Sequence, residues 1–166
     1  MSVAAFKICM LGDFGVGKTS LVARFVRSTF APKYLTTVGV KVDSKELLSP
    51  QGTPLKFVVW DIAGRSALDA LGANYLRGAA ALLLVADGTR EHSLSVALNL
   101  LMQSRSVLPD AAVVLAVNKL DLVERWEVAP TTLAELRRTL PVFETSALSG
   151  DGVENAFAEI AARLQP

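Results

Sequence analysis

Cysteine, histidine and long apolar runs are scarce in this chain, and each shortage excludes something. Cys9 is its one cysteine and His92 its one histidine. A single cysteine cannot close an internal disulfide, which suits a reducing compartment. Its place within an apolar run reads as a small core residue. His92 stands beside Glu91 at an expected helix start, which points to a surface or capping role rather than catalysis. Excess charge of one sign is also lacking: 17 Lys and Arg against 16 Asp and Glu give a net charge of +1. No strong field is available to recruit nucleic acid or acidic membrane. The longest apolar run, Ala79 to Ala86, stops at Asp87, far short of the roughly 20 residues that cross a bilayer. No secretory signal, amino-terminal acylation signal or carboxy-terminal prenylation box is visible. The expectation is a cytoplasmic protein with no nucleic-acid partner and no intrinsic membrane anchor. Without repeats or low-complexity segments, 166 residues predict one domain over residues 1–166, large enough for its own core.

What is present centres on Gly12-Asp13-Phe14-Gly15-Val16-Gly17-Lys18-Thr19-Ser20. An apolar run, Phe6 to Leu11, precedes it and reads as a buried strand. An amphipathic run, Leu21 to Val26, follows and reads as a helix. A strand, a glycine-rich turn and a helix N-terminus make a phosphate cradle, because backbone N–H groups converge there and the helix dipole favours anions. Gly12, Gly17, Lys18 and Thr19 satisfy the pattern G-x-x-x-x-G-K-[ST]. Gly15 and Gly17 let the backbone approach where a side chain would collide. Lys18 can reach β and γ phosphate oxygens, and the Thr19 hydroxyl can hold Mg²⁺. The candidate phosphate contacts run through Asp13, Phe14, Gly15, Val16, Gly17, Lys18, Thr19 and Ser20.

In chain order, the pattern predicts a helix from Gly17 to about Ser28 and a loop from Thr29 to Thr37. Val38–Leu48 and Leu55–Asp61 flank Pro50-Gln51-Gly52-Thr53-Pro54 and read as a hairpin. Ser66–Leu76 is a weakly periodic helix. Ala79–Ala86 and Ala112–Val117 are continuous apolar runs, as strands buried on both faces of a parallel sheet require. Between them Leu94, Ala97, Leu98, Leu101 and Met102 fall on one helical face. Thr131–Thr139 is a shorter helix and Val142–Glu144 a short strand. The last helix carries Val153, Ala156, Phe157, Ile160, Ala161 and Leu164 in one stripe, with Asp151 expected as N-cap. This alternation predicts an α/β three-layer domain: a six-stranded, mostly parallel sheet with one antiparallel hairpin strand and helices on both faces. Right-handed crossovers gather the strand-to-helix loops at one edge, where a ligand belongs.

The later loops bear on which nucleotide. Asn118-Lys119-Leu120-Asp121 follows the fifth strand. A carboxylate there accepts two hydrogen bonds from the ring N–H and exocyclic amine of guanine, whereas adenine presents the opposite pattern. Lys119 can lay its methylene stem on the nucleotide. After the sixth strand, Glu144-Thr145-Ser146-Ala147 offers a backbone N–H to the guanine oxygen, with Leu148 next in line.

With these motifs in place, the chain resembles the Ras-like small GTPases over essentially its full length, and the Rab branch most. Lys18-Thr19-Ser20-Leu21, then Phe30 and Tyr34 through Thr37-Val38-Gly39-Val40, resembles a Rab switch I. Trp60-Asp61-Ile62-Ala63-Gly64 resembles the start of switch II and Tyr75-Leu76-Arg77-Gly78-Ala79 its end. The resemblance implies a P-loop G-domain and GTP, GDP and Mg²⁺ as ligands. It implies that Phe30 packs on the guanine, that Thr37 joins Thr19 on Mg²⁺, that Asp61 reaches the ion through water, and that the Gly64 N–H touches the γ-phosphate. The nucleotide set by resemblance is completed by Tyr34, Asn118, Lys119, Asp121, Ser146, Ala147 and Leu148. Lys18, Thr37, Gly64 and Arg65 are the catalytic candidates. Partners implied are an effector that reads the GTP state through residues 29–42 and 61–77, an exchange factor and an activator. A prokaryotic source would imply a roadblock- or longin-type regulator.

Three departures from the family pattern bear on activity. Arg65 replaces the glutamine that orients the attacking water, Phe14 replaces a small residue beside the γ-phosphate, and Leu148 replaces a lysine. The expectation is a switch that hydrolyses GTP slowly. A scaffold holding GTP or GDP without hydrolysis shares every binding motif and stays open, and a P-loop kinase or other ATP enzyme is opposed by Asp121.

Overall fold

Seven consecutive residues of one strand, Ala81–Asp87, are all buried, and the neighbouring strand Ala112–Asn118 is buried at six of its seven positions. Side chains alternate along a strand, so a strand buried throughout must be covered on both faces. The computed structural model describes residues 3–28, 39–63 and 74–164. In it those runs form the middle of a six-stranded sheet. The elements are β1 (Ala4–Gly12), α1 (Lys18–Arg27), β2 (Val40–Leu48), β3 (Pro54–Ile62), β4 (Ala81–Asp87), α2 (Glu91–Ser104), β5 (Ala112–Asn118), a 3₁₀ turn (Leu120–Arg125), α3 (Pro130–Leu136), β6 (Val142–Glu144) and α4 (Val153–Arg163). The sheet order is β2-β3-β1-β4-β5-β6. Every neighbouring pair is parallel except β2 and β3, which form the expected hairpin. The α/β expectation is met.

The period of two in each strand divides the core. Ile8 and Met10 of β1, with Leu83 and Val85 of β4, pack under α1 and α4. Cys9 and Leu11, with Leu82, Leu84 and Ala86, pack under α2 and α3. On the first face Phe25 of α1 stacks on Phe157 of α4, ring centroids 3.7 Å apart and nearly coplanar in tilt at 6°. Lys45 of β2 donates to the Phe25 carbonyl at 2.6 Å and sits over its ring, fastening the edge strand to α1. Cys9 is wholly buried, and burial pushes its thiol up to about 12, so it stays a neutral core residue.

Several local expectations shift. Met102 is 73% exposed, and Leu100 takes its place on the buried face of α2. The helix expected to reach Thr139 ends at Leu136, where Arg137, Arg138 and Thr139 continue in turns. Asp151 does not cap α4: Gly152 does, at φ 72°. The backbone there lies against the Glu144 carbonyl, where a Cβ would collide, so conformation and space rather than a side-chain acceptor decide the start. Of the expected helix Ser66–Leu76 only 74–76 falls within the described residues, and there it is helical. The expected loop Thr29–Thr37 falls outside them.

Candidate functional site

The carboxyl ends of β1, β3, β4, β5 and β6 point the same way, so Gly12, Ile62, Asp87, Asn118 and Glu144 deliver their loops to one edge of the sheet. In open α/β sheets that edge is where ligands bind. Side-chain hydrogen bonds link these loops to one another and to α1, and the links define the site.

The turn after β1 bends through two glycines at positive φ, Gly15 at 76° and Gly17 at 101°. Gly17 stands at the N-cap of α1, and no acidic side chain fills the first turn. The helix thus keeps its first N–H groups and its dipole for an anion. Lys18 is 7% exposed, and its ammonium donates to the carbonyls of Gly12 at 2.9 Å and Asp13 at 3.1 Å. Burial lowers its pKa, and the carboxylates of Asp61 and Asp13 partly oppose that. Asp13 is itself 3% exposed, and its Oδ1 accepts the Phe14 N–H. The ring of Phe14, by contrast, is half exposed. Thr19 Oγ1 donates to Asp61 Oδ2 at 2.5 Å, so α1 and the end of β3 bring a hydroxyl and a buried carboxylate together.

Asn118 joins the two halves. Its Nδ2 donates to the Val16 carbonyl at 3.0 Å, and its Oδ1 accepts Thr145 Oγ1 at 3.1 Å. One buried amide therefore braces the glycine turn, the end of β5 and the loop after β6. Asp121 is exposed, and its Oδ1 accepts the Ser146 hydroxyl at 2.7 Å. Ser146 O accepts the Gly150 N–H at 2.8 Å, and peptide planarity turns the Ala147 N–H the other way. Arg24 of α1 grips the carbonyls of Ala147 at 2.8 Å and Leu148 at 2.7 Å. Leu148 is half exposed.

Lys119 is anchored from the end of β4. Its amine lies 2.9 Å from Asp87 Oδ2, and its backbone is left-handed at φ 74°. That conformation is unfavourable for a residue with a Cβ. The Trp126 indole holds it by donating to the Lys119 carbonyl at 2.8 Å, with its ring where a Cβ on Gly88 would fall. Burial raises the Asp87 pKa, but hydrogen bonds from Thr89 and Lys119 and the Lys119 charge outweigh it, and the net shift is downward. Sequence reasoning missed Asp87, Arg90, Trp126 and Arg24. For Asp87 a signal existed: a carboxylate that ends a buried apolar strand stands at the ligand edge.

The structure thus brings together Asp13, Phe14, Gly15, Val16, Gly17, Lys18, Thr19, Ser20, Asp61, Asn118, Lys119, Asp121, Ser146, Ala147 and Leu148 on one edge. Phe30, Tyr34, Thr37, Gly64 and Arg65 lie outside the described residues. Beside the edge, Val42 is 48% exposed and Trp60 partly so. Lys7 lies over the Trp60 ring at 3.7 Å and donates to the Arg77 carbonyl at 2.8 Å. Among the described residues no three His, Cys, Asp or Glu side chains gather as a metal cage, and no helix is long and apolar enough to cross a membrane.

Residues 7–165 match the model of the Ras family. The chain is similar to the Ras-related protein Rab-22A of Homo sapiens, at 35% identity over 99% of this chain and 86% of that protein. It is 38% identical to the Ras-related protein RIC2 of Oryza sativa subsp. japonica, over 96% of this chain and 74% of that one. It is 36% identical to the Ras-related protein Rab-30 of Homo sapiens, over 96% and 79% of the two chains.

Proposed function

The chain belongs to the Ras family, as a Rab-like small GTPase, and from that membership we propose a guanine-nucleotide switch that holds GTP or GDP with Mg²⁺ and hydrolyses GTP slowly. One G domain over residues 1–166 carries it, in the cytoplasm. The observation that supports this most is the Asn118 brace, which ties the glycine cradle to the loops of Asp121 and Ser146. A phosphate cradle and a base-reading carboxylate, fixed at one sheet edge, suit one nucleotide.

In this reading the residues 12–20 wrap the phosphates with backbone N–H groups, and Lys18 turns its ammonium from carbonyls to phosphate oxygens. Asp121 accepts the guanine ring N–H and amine, and the Ala147 N–H meets the guanine oxygen. The Lys119 stem flanks the base while Asp87 holds its amine. Phe30 and Tyr34 complete the nucleotide contacts. The donor set fits Mg²⁺: a hard cation that keeps water and phosphate ligands needs few protein oxygens, and the Thr19–Asp61 pair supplies a hydroxyl and a buried carboxylate. Thr19, Thr37 and Asp61 would hold it, and when bound it neutralises phosphate charge. Thr37 and Gly64 are the groups through which loss of the γ-phosphate releases the loops 29–42 and 61–77 from an effector. An exchange factor and an activator act on the same loops.

Arginine donates but does not accept, so Arg65 cannot orient a water as glutamine does. Phe14 adds a ring at the phosphate mouth. Nucleotide co-purification followed by single-turnover hydrolysis tests the reading. Guanine nucleotide and slow turnover are expected, with Phe14→Gly plus Arg65→Gln faster than the unmodified chain. No turnover in either protein favours the scaffold alternative. A slowing of tenfold or more in Arg65→Ala, about 1.4 kcal/mol of barrier, makes Arg65 a participant instead of a brake.

A further inference from the structure

Arg90 ends the loop after β4, just before α2, and reaches back across the site to the glycine turn. Its Nη2 donates to the Phe14 carbonyl at 2.7 Å, its Nε donates to Asp87 Oδ2 at 3.3 Å, and its Nη1 lies 3.7 Å from Asp13 Oδ2. All three nitrogens of the guanidinium thus face protein acceptors at the rim of the candidate phosphate cradle. Both carboxylates are buried, and Asp87 is held in turn by Thr89 and Lys119, so the fork has a fixed mounting.

The Phe14 carbonyl belongs to the peptide that carries the Gly15 N–H. A trans planar peptide points its N–H opposite its C=O. Holding the carbonyl on the Arg90 side therefore directs the Gly15 N–H away from Arg90. Gly15, at φ 76°, is the residue type that lets such a peptide rotate at little cost. A charge-assisted bond is strong enough to bias that rotation.

We propose that Arg90 is a positioning residue of the nucleotide site: its guanidinium, seated on Asp87 and Asp13, holds the Phe14–Gly15 peptide in one orientation and so presets the cradle for phosphate. The proposal rests on the reading of residues 12–20 as a phosphate cradle. It also explains how Phe14 is kept at the mouth, since its backbone is fastened from outside. Lysine cannot reproduce the effect in full, because a single ammonium does not span three acceptors in a planar fork.

The test follows dissociation of fluorescent GDP and a fluorescent non-hydrolysable GTP analogue from the full chain, Arg90→Ala and Arg90→Lys, with circular dichroism as a check on folding. Arg90→Ala should speed dissociation of both nucleotides about tenfold or more while leaving the preference for GTP over ATP unchanged. Arg90→Lys should recover part of that loss. The Gly15 amide resonance of the GDP complex should be single in the unmodified chain and should broaden or double in Arg90→Ala. Dissociation within twofold of the unmodified chain overturns the clamp, as does an unchanged Gly15 resonance. If Arg90→Ala does not fold, Arg90→Lys decides: an off-rate equal to the unmodified one overturns the clamp, and an intermediate one supports it. An unmodified chain that binds no guanine nucleotide overturns the underlying reading, a result distinct from tight binding that ignores Arg90.

Discussion

Gly17→Ala and Gly52→Ala form a matched pair that separates backbone strain from loss of the Asn118 brace. Both glycines sit at positive φ, 101° and 85°. A Cβ at Gly52 meets nothing within 4 Å, whereas one at Gly17 falls on the Asn118 amide nitrogen. The backbone penalty for an L-residue is about 1–2 kcal/mol at each site, and the entropy removed from the unfolded chain is similar for both. Gly17→Ala must also displace Asn118 from the Val16 carbonyl, leaving buried polar groups unpaired at about 1–3 kcal/mol. The difference between the variants should therefore be about 1–3 kcal/mol. For a domain of this size each kcal/mol moves the thermal midpoint by about 2–4 °C, so Gly17→Ala should melt about 2–12 °C below Gly52→Ala. Thermal unfolding of the nucleotide-free proteins by circular dichroism measures this without assuming anything about the ligand. Equal midpoints would show that Asn118 yields at no cost and that the glycine turn is not braced from β5.

Asp121→Asn should move base preference from guanine toward xanthine nucleotides, read by competition binding, and equal affinity of the unmodified chain for ATP and GTP would overturn the base assignment. Lys18→Ala should weaken guanine-nucleotide binding about a hundredfold, because two charge-assisted bonds to phosphate oxygens are lost, and unchanged affinity by fluorescence titration would remove the cradle assignment. Asp87 has a folded pKa below its unfolded value, so its contribution to stability is present above the unfolded carboxylate range near about pH 4. That contribution fades as pH falls through the folded value. Thermal midpoints between about pH 7 and pH 2 should drop less steeply in Asp87→Asn than in the unmodified chain. Parallel curves would show that the Lys119 and Thr89 contacts carry no net charge-linked stability.

The fold was legible where burial is two-sided. The runs at β4 and β5 read as strands buried on both faces and are so, and β6 matches its expected bounds. Legibility fell at element ends and on helix faces. Met102 shares a helical face with Leu94, Ala97, Leu98 and Leu101 by spacing, but the helix turns Leu100 inward and leaves Met102 in solvent. A wide apolar set on a helix underdetermines which edge is wet. The Asp151 cap failed for another reason. Side-chain capping patterns ignore what the neighbouring loop occupies, and the Glu144 carbonyl leaves room at position 152 for glycine alone.

The site divides along the same line. Gly12 to Ser20 and Asn118 to Asp121 are contiguous, so chemistry and spacing can be read within one window. Asp87, Arg90 and Arg24 act on residues far along the chain: Arg90 meets Phe14 across 76 positions and Arg24 meets Leu148 across 124. Their roles depend on strand order, since β4 lies between β1 and β5 and its loop can touch both neighbours. Asp87 shows the consequence. Read alone it merely ends an apolar run. Placed beside Asn118 by the β4–β5 register, its Oδ2 meets the Lys119 amine from the β5 loop and the Arg90 guanidinium that grips the glycine turn. A carboxylate in that position holds side chains from both loops at once. The candidate ligand contacts can therefore be named from motifs, while the side chains that tie their loops together emerge only when the sheet places the loops side by side.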